Sequence, residues 1–154
     1  MSRFVYRMQN ILNIKEKLEE QARMDFGMAM VRLMEEEEKL SCLQDRKTGY
    51  EEAARGSLQD TLCIRKIREN KEAILRMDDF MALQRIEIQR AEQKAEQERQ
   101  KLQLSIQERK IQEKLRENAF EAFMREEKAS ESREIDELTS YTYGQKKMEA
   151  MAET

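Results

Sequence analysis

A chain of 154 residues without a single proline leaves very long helices open to it. Proline costs about 3 kcal/mol inside a helix, because it lacks the N–H and clashes with the preceding turn. Glu, Lys, Arg, Gln, Leu, Met and Ala dominate the sequence, and all are strong helix formers. The plausible break is Arg55-Gly56-Ser57. A reversal there predicts an all-α fold, a two-helix antiparallel coiled-coil hairpin with an extended second helix. Helix 1 is expected over about 4–55, a turn over 55–58, helix 2 over about 58–141 and a polar, disordered tail over 142–154, as one single hairpin spanning 1–154. Both termini then lie toward one end, which is the shape of a connector rather than an enzyme.

Charge sharpens the choice. Charged residues make up 40% of the chain and aromatics 6%, with no Trp. An ordinary compact domain carries about 25% charge, so the choice narrows to solvated helices or disorder. The apolar residues recur at helical spacing, which favours helices. The net charge of -3 is near balance, and basic residues are spread among acids rather than gathered on one aromatic-lined stripe. No nucleic acid is expected as a partner. No run of about 18 apolar residues exists to insert into a membrane, and Met1 to Asn10 lacks the apolar centre of a secretory signal.

Helix 1 shows apolar residues three and four apart, among them Phe4, Met8, Ile11, Leu18, Ala22, Phe26, Ala29, Leu33, Leu40, Leu43, Tyr50 and Ala54. Lys15, Glu36 and Lys47 stand where the pattern wants an apolar side chain. The steps Leu18–Ala22–Phe26 predict a stutter beside Gly27. Helix 2 repeats more strictly, with Ile67, Ile74, Met81, Ile88, Ala95 and Leu102 seven apart, a coiled-coil seam. With a turn near residue 57, facing positions should total about 113 or 114 at equal rise in the two helices. Leu40 is then expected opposite Ile74, Leu33 opposite Met81, Phe26 opposite Ile88, Leu18 opposite Ala95, Ile11 opposite Leu102 and Met8 opposite Ile106. The alternate positions of helix 2 are poorly filled, with Asn70 or Lys71, Gln84 or Arg85, and Glu98 or Arg99, so marginal stability is expected.

The helices are unequal, about 78 Å against about 125 Å at 1.5 Å per residue. Helix 1 should run out near residue 109 of helix 2. Ile111, Leu115, Ala119, Phe120, Ala122, Phe123, Met124, Ile135 and Leu138 are then expected to lack an intrachain partner and to form a docking face.

Reactive chemistry is sparse. Histidine is absent, no GxxxxGK[ST] phosphate loop occurs, and Cys42 and Cys63 have no CxxC companion. No metal, cofactor or catalytic residue is expected, and no enzyme. With a turn at Gly56, Cys63 falls opposite Tyr50, about 12 Å along the axis from Cys42, too far for a disulfide. Free thiols suit a reducing cytosol. Glu35 to Glu38 reads as an electrostatic contact or, more simply, as a solvated helix face. Met24, Met28, Met30 and Met34 read either as soft core filler or as an adaptable binding surface.

Two segments resemble a known family. Phe4-Val5-Tyr6-Arg7-Met8-Gln9-Asn10-Ile11-Leu12-Asn13-Ile14-Lys15 resembles the N-terminal signature of the flagellar export protein FliJ family, F-x-[FY]-R-L-Q-x-L-L-x-L-[RK]. Met8 replaces the more usual Leu, a volume-conserving change. Arg133-Glu134-Ile135-Asp136-Glu137-Leu138 resembles the family's [KR]-E-[LI]-D-E-[LI] box. The resemblance implies a non-enzymatic component of the flagellar type III protein export apparatus, folded like the axle subunit of rotary ATPases. It implies a stalk-like connector between the hexameric flagellar export ATPase and the cytoplasmic domain of the export gate protein, with a chaperone-escort role toward export chaperones. Its place would be cytoplasmic, peripheral at the cytoplasmic face of the inner membrane. The ring contact would then fall on Phe4, Met8, Ile11, Leu115, Phe120, Phe123 and Met124, and the gate contact near the turn on Tyr50, Cys63 and Ile67. The alternative is a structural coiled-coil adaptor that homodimerises through the overhang.

Overall fold

The computed structural model describes residues 2–59, 61 and 63–153. Two α-helices account for most of them, α1 over Gln9–Gln59 and α2 over Ile64–Ala152. No strand occurs among the described residues, and the two form an antiparallel all-α helical hairpin.

The helix boundaries differ from the expected ones for local reasons. α1 begins at Gln9 rather than near Phe4, since Gln9 N–H turns back to the Tyr6 carbonyl at 3.2 Å and residues 2–6 are irregular. It passes through Gly56 and Ser57 without a break and ends at Gln59. A glycine in a helix costs only about 1 kcal/mol, Gly56 keeps a negative φ, and Ser57 Oγ donates to the Ala53 carbonyl at 2.9 Å. The connection therefore lies over 60–63, not 55–58, and Asp60 and Leu62, expected in helix 2, lie outside the described residues. α2 continues past residue 141 to Ala152, where a disordered tail was expected. The run Gln145-Lys146-Lys147-Met148-Glu149-Ala150-Met151-Ala152 is made of strong helix formers and nothing in it stops the helix.

The chain divides into two compact units, Leu18–Ile106 and Met1–Lys17 with Gln107–Thr154. In the first, the seam of α1 runs from Glu19 through Ala22, Phe26, Ala29, Leu33 and Glu36 to Leu40, Leu43 and Lys47, with Asp25 half-buried beside it. The steps alternate three and four without interruption, so the expected stutter is absent. Glu19 holds the position assigned to Leu18, which is 49% exposed, and its carboxylate takes Arg23 at 2.8 Å. The buried apolar residues of this unit are Ala22, Ala29, Met81, Ala91 and Ala95. Four of the five are alanines, so little apolar area is buried and the marginal stability expected of the seam has a visible cause.

The register also differs. Lys47 bonds Asp78 at 2.7 Å and Gln84 donates to Glu36 at 2.6 Å, pairs whose numbers total 125 and 120. In the other unit Lys15 bonds Glu108 at 2.9 Å, a total of 123. The expected pairs from Leu40–Ile74 to Met8–Ile106 shared totals of about 113 or 114 and are displaced by about ten residues. The reason is arithmetic: a connection five residues later moves every total by ten, at equal rise in the two helices.

Of the charged residues that interrupt the α1 seam, Glu19 takes Arg23 on α1 itself, while Lys15, Glu36 and Lys47 each bond across to α2. The Lys47–Asp78 and Lys15–Glu108 pairs are partly exposed, so solvent screens both and they add little to stability. Their larger effect is on register. A slide by one heptad keeps the apolar alternation but separates Glu36 from Gln84 by about 10 Å. The Glu36 carboxyl lies below the usual carboxylate range because Gln84 and then Lys39 donate to it, and Glu98 does likewise beside Lys94. Lys47 is raised by its bond to Asp78, and Lys94 by Glu98.

A carboxyl lowered in the folded state stabilises fully above the unfolded value, about 4.3, and that contribution is lost as pH falls through the lower folded value. The raised lysines stabilise fully below about 10.4 and lose that contribution as pH rises through the folded value. Urea midpoints should be level between these limits and fall on the acid side. Glu36→Gln should flatten the acid fall and lower the midpoint at neutral pH; an unchanged acid limb would remove Glu36 from the account.

Candidate interaction surfaces

The N-terminal segment and the far part of α2 make the first candidate surface. Residues 2–6 run in an irregular path, which covers about 3.3 Å per residue if extended against 1.5 Å in a helix. The segment therefore reaches farther along α2 than a helix would. Phe4 meets Phe120 edge-on with ring centroids 5.2 Å apart and Phe123 at 5.5 Å, and Ser2 Oγ donates to Glu127. The expected unpartnered stretch after residue 109 is corrected here: Phe120 and Phe123 have an intrachain partner, and contacts continue to Glu127. Among the expected ring-contact residues, Phe4, Phe120 and Phe123 come together, while Met8, Ile11, Leu115 and Met124 remain 38% to 44% exposed. Leu12, adjacent to Ile11, is the buried residue of this unit at 3%. Tyr6 Oη and Gln112 Oε1 are buried without a hydrogen-bond partner, a state that costs about 1–3 kcal/mol for each group.

Beyond Glu127 every described residue is exposed. The seam positions there turn polar, with Ser130, Arg133, Glu137, Ser140 and Gly144 at the same three-four steps. The apolar residues move to the opposite face. Ile135, Leu138, Thr142 and Tyr143 lie together with Lys146, and Ile135, Leu138 and Tyr143 are 61% to 71% exposed. Glu134 and Asp136 flank this face and make no ion pair among the described residues. An apolar centre ringed by charge is how a protein contact is commonly composed. Tyr143 escaped the sequence reading because it fell in the expected tail, although Ile135, Leu138 and Thr142 already share helical spacing.

The residues expected near the turn are spread over two elements. Tyr50 lies on α1 at 37% exposure, Cys63 is exposed, and Ile67 is half-buried in the first turn of α2, its N–H bonded to the Cys63 carbonyl at 3.2 Å. Both cysteines are free. No group of acidic, cysteine or histidine side chains among the described residues is arranged to hold a metal ion. No helix is long and apolar enough to cross a membrane.

Long helices, an alanine-rich seam and exposed apolar faces define a helical-hairpin interaction protein. The family model for the flagellar FliJ protein matches residues 4–148. The chain belongs to that family and is a component of the flagellar protein export apparatus, a role that is not catalytic. No curated protein and no solved structure matches it.

Proposed function

We propose that this chain is the stalk-like connector between the hexameric flagellar export ATPase and the cytoplasmic domain of the export gate protein. The observation that carries this reading is the exposed face of Ile135, Leu138 and Tyr143, which lies past the last contact of the N-terminal segment. A helix that presents apolar residues amid unpaired charges suits insertion into a ring. Phe4, Met8, Ile11, Leu115, Phe120, Phe123 and Met124 form the collar of the same contact, with Phe4, Phe120 and Phe123 already gathered at one place. Tyr50, Cys63 and Ile67 meet the gate protein, and export chaperones are escorted on the same chain. Its place is the cytoplasm, peripheral to the inner membrane through the apparatus.

The test is a titration of the purified ATPase hexamer with the full chain, reading both co-sedimentation and ATP turnover. Binding of one chain per ring with altered turnover is expected. A hexamer that neither retains the chain nor changes its turnover would sink the connector reading while leaving family membership untouched.

A further inference from the structure

The methionines of α1 supply a second, separate surface. Met24, Met28, Val31 and Met34 are 55% to 65% exposed. Against the seam residues Ala22, Phe26, Ala29 and Leu33, they fall on the outward side of the helix at 100° per residue. Coiled coils ordinarily fill that side with charge. Gly27 sits among Met24, Met28 and Val31, and a side chain placed there would meet nothing within 4 Å, so the face has a notch at its centre. Met24, Met28 and Met34 are exposed and stand outside the seam, while Met30 is 38% exposed.

The charges beside the face are self-complementary. Asp25 and Arg32 lie on the same flank, seven residues apart on either side of Met28, along the groove that α2 lines with Glu87, Arg90 and Lys94. Within the chain Asp25 is half-buried, accepts a hydrogen bond from Gln21 at 3.0 Å and adds to the field at Lys94, and Arg32 reaches Glu36 only at 3.8 Å. If a second α1 is laid antiparallel across a two-fold axis near Met28, Asp25 of each copy faces Arg32 of the other. Met24 of each then lies toward Val31 of the other, and each Met28 meets the other copy's notch.

We propose that Met24, Gly27, Met28 and Val31 form the contact face of an isologous, antiparallel dimer of this chain. The face is short, and three side chains and a glycine on each side bury well below the roughly 1,200 Å² of a standard stable interface. The dimer is therefore concentration-dependent and reversible. It uses neither the N-terminal segment nor the Ile135–Tyr143 face, so it differs from pairing through the overhang of α2.

Sedimentation equilibrium of the full chain over a wide concentration range tests this. A reversible monomer–dimer equilibrium is expected, abolished by Met28→Glu and by Val31→Lys with helicity unchanged. Asp25→Arg alone should weaken it about tenfold or more, as each charge pair occurs twice. Asp25→Arg combined with Arg32→Asp should restore it. A wild-type chain that stays monomeric throughout overturns the proposal. So does a dimer that survives Met28→Glu but is lost in Phe80→Ser, which would place the contact on α2, or a double exchange that fails to rescue.

Discussion

Met81→Ala is expected to lower the stability of the hairpin by about 2–3 kcal/mol, near the lower end for truncation of a buried Met. Met81 is 3% exposed and is the one large apolar side chain in the buried core of Leu18–Ile106, where the others are alanines. Truncation leaves a gap that alanine neighbours cannot fill. The open sides of a two-helix seam let water and flanking side chains relax into part of it, which is why the larger costs are not expected. A typical domain has about 5–15 kcal/mol in total, so the loss is a large fraction of what holds this unit. Urea denaturation followed by helicity gives the measurement. Leu83→Ala on the same helix, at a site 62% exposed, is the control and should cost under about 0.5 kcal/mol. Equal shifts for the two variants would mean that the seam is not where the helices are held.

The two-helix class and the seven-residue seam of α2 were legible because they depend on periodicity, which no tertiary contact has to supply. The turn was not. Gly56 looked like a stop because it is the weakest helix former nearby, yet a single glycine costs too little to end a helix that packing sustains. An error of five residues there moved every facing pair by about ten. The stutter had a different origin. Reading only apolar residues selected Leu18 and Ile11, whereas the chain buries Glu19 and Leu12. Stepping back three and four from Ala22 finds both, provided a carboxylate with an Arg four residues on is accepted as a seam residue. Of the surface, Phe120 and Phe123 were correctly singled out as unusual, but their partner Phe4 could be found only once the first residues were known to leave the helix.

The largest functional effect is expected from Ile135→Ser with Leu138→Ser. Both residues are exposed, on a face of α2 that touches nothing else in the chain except its own turns, so helicity and the urea midpoint should not move. If the face enters the ATPase ring, two buried aliphatic side chains are lost from the contact, each worth about 1.5–3 kcal/mol. Binding should weaken by about a hundredfold or more. Phe120→Ser with Phe123→Ser provides the contrast. These rings hold Phe4 at 5.2 and 5.5 Å, and each aromatic pair adds about 0.5–1.5 kcal/mol beyond its buried area. Their loss should free the N-terminal segment, seen as faster amide exchange around Leu12, and weaken ring binding as well. The two double variants thus separate a surface that only a partner uses from one that the chain itself has organised. Ring affinity that is insensitive to Ile135→Ser with Leu138→Ser, measured beside a clear loss in the phenylalanine pair, would move the contact back to the collar around Phe4.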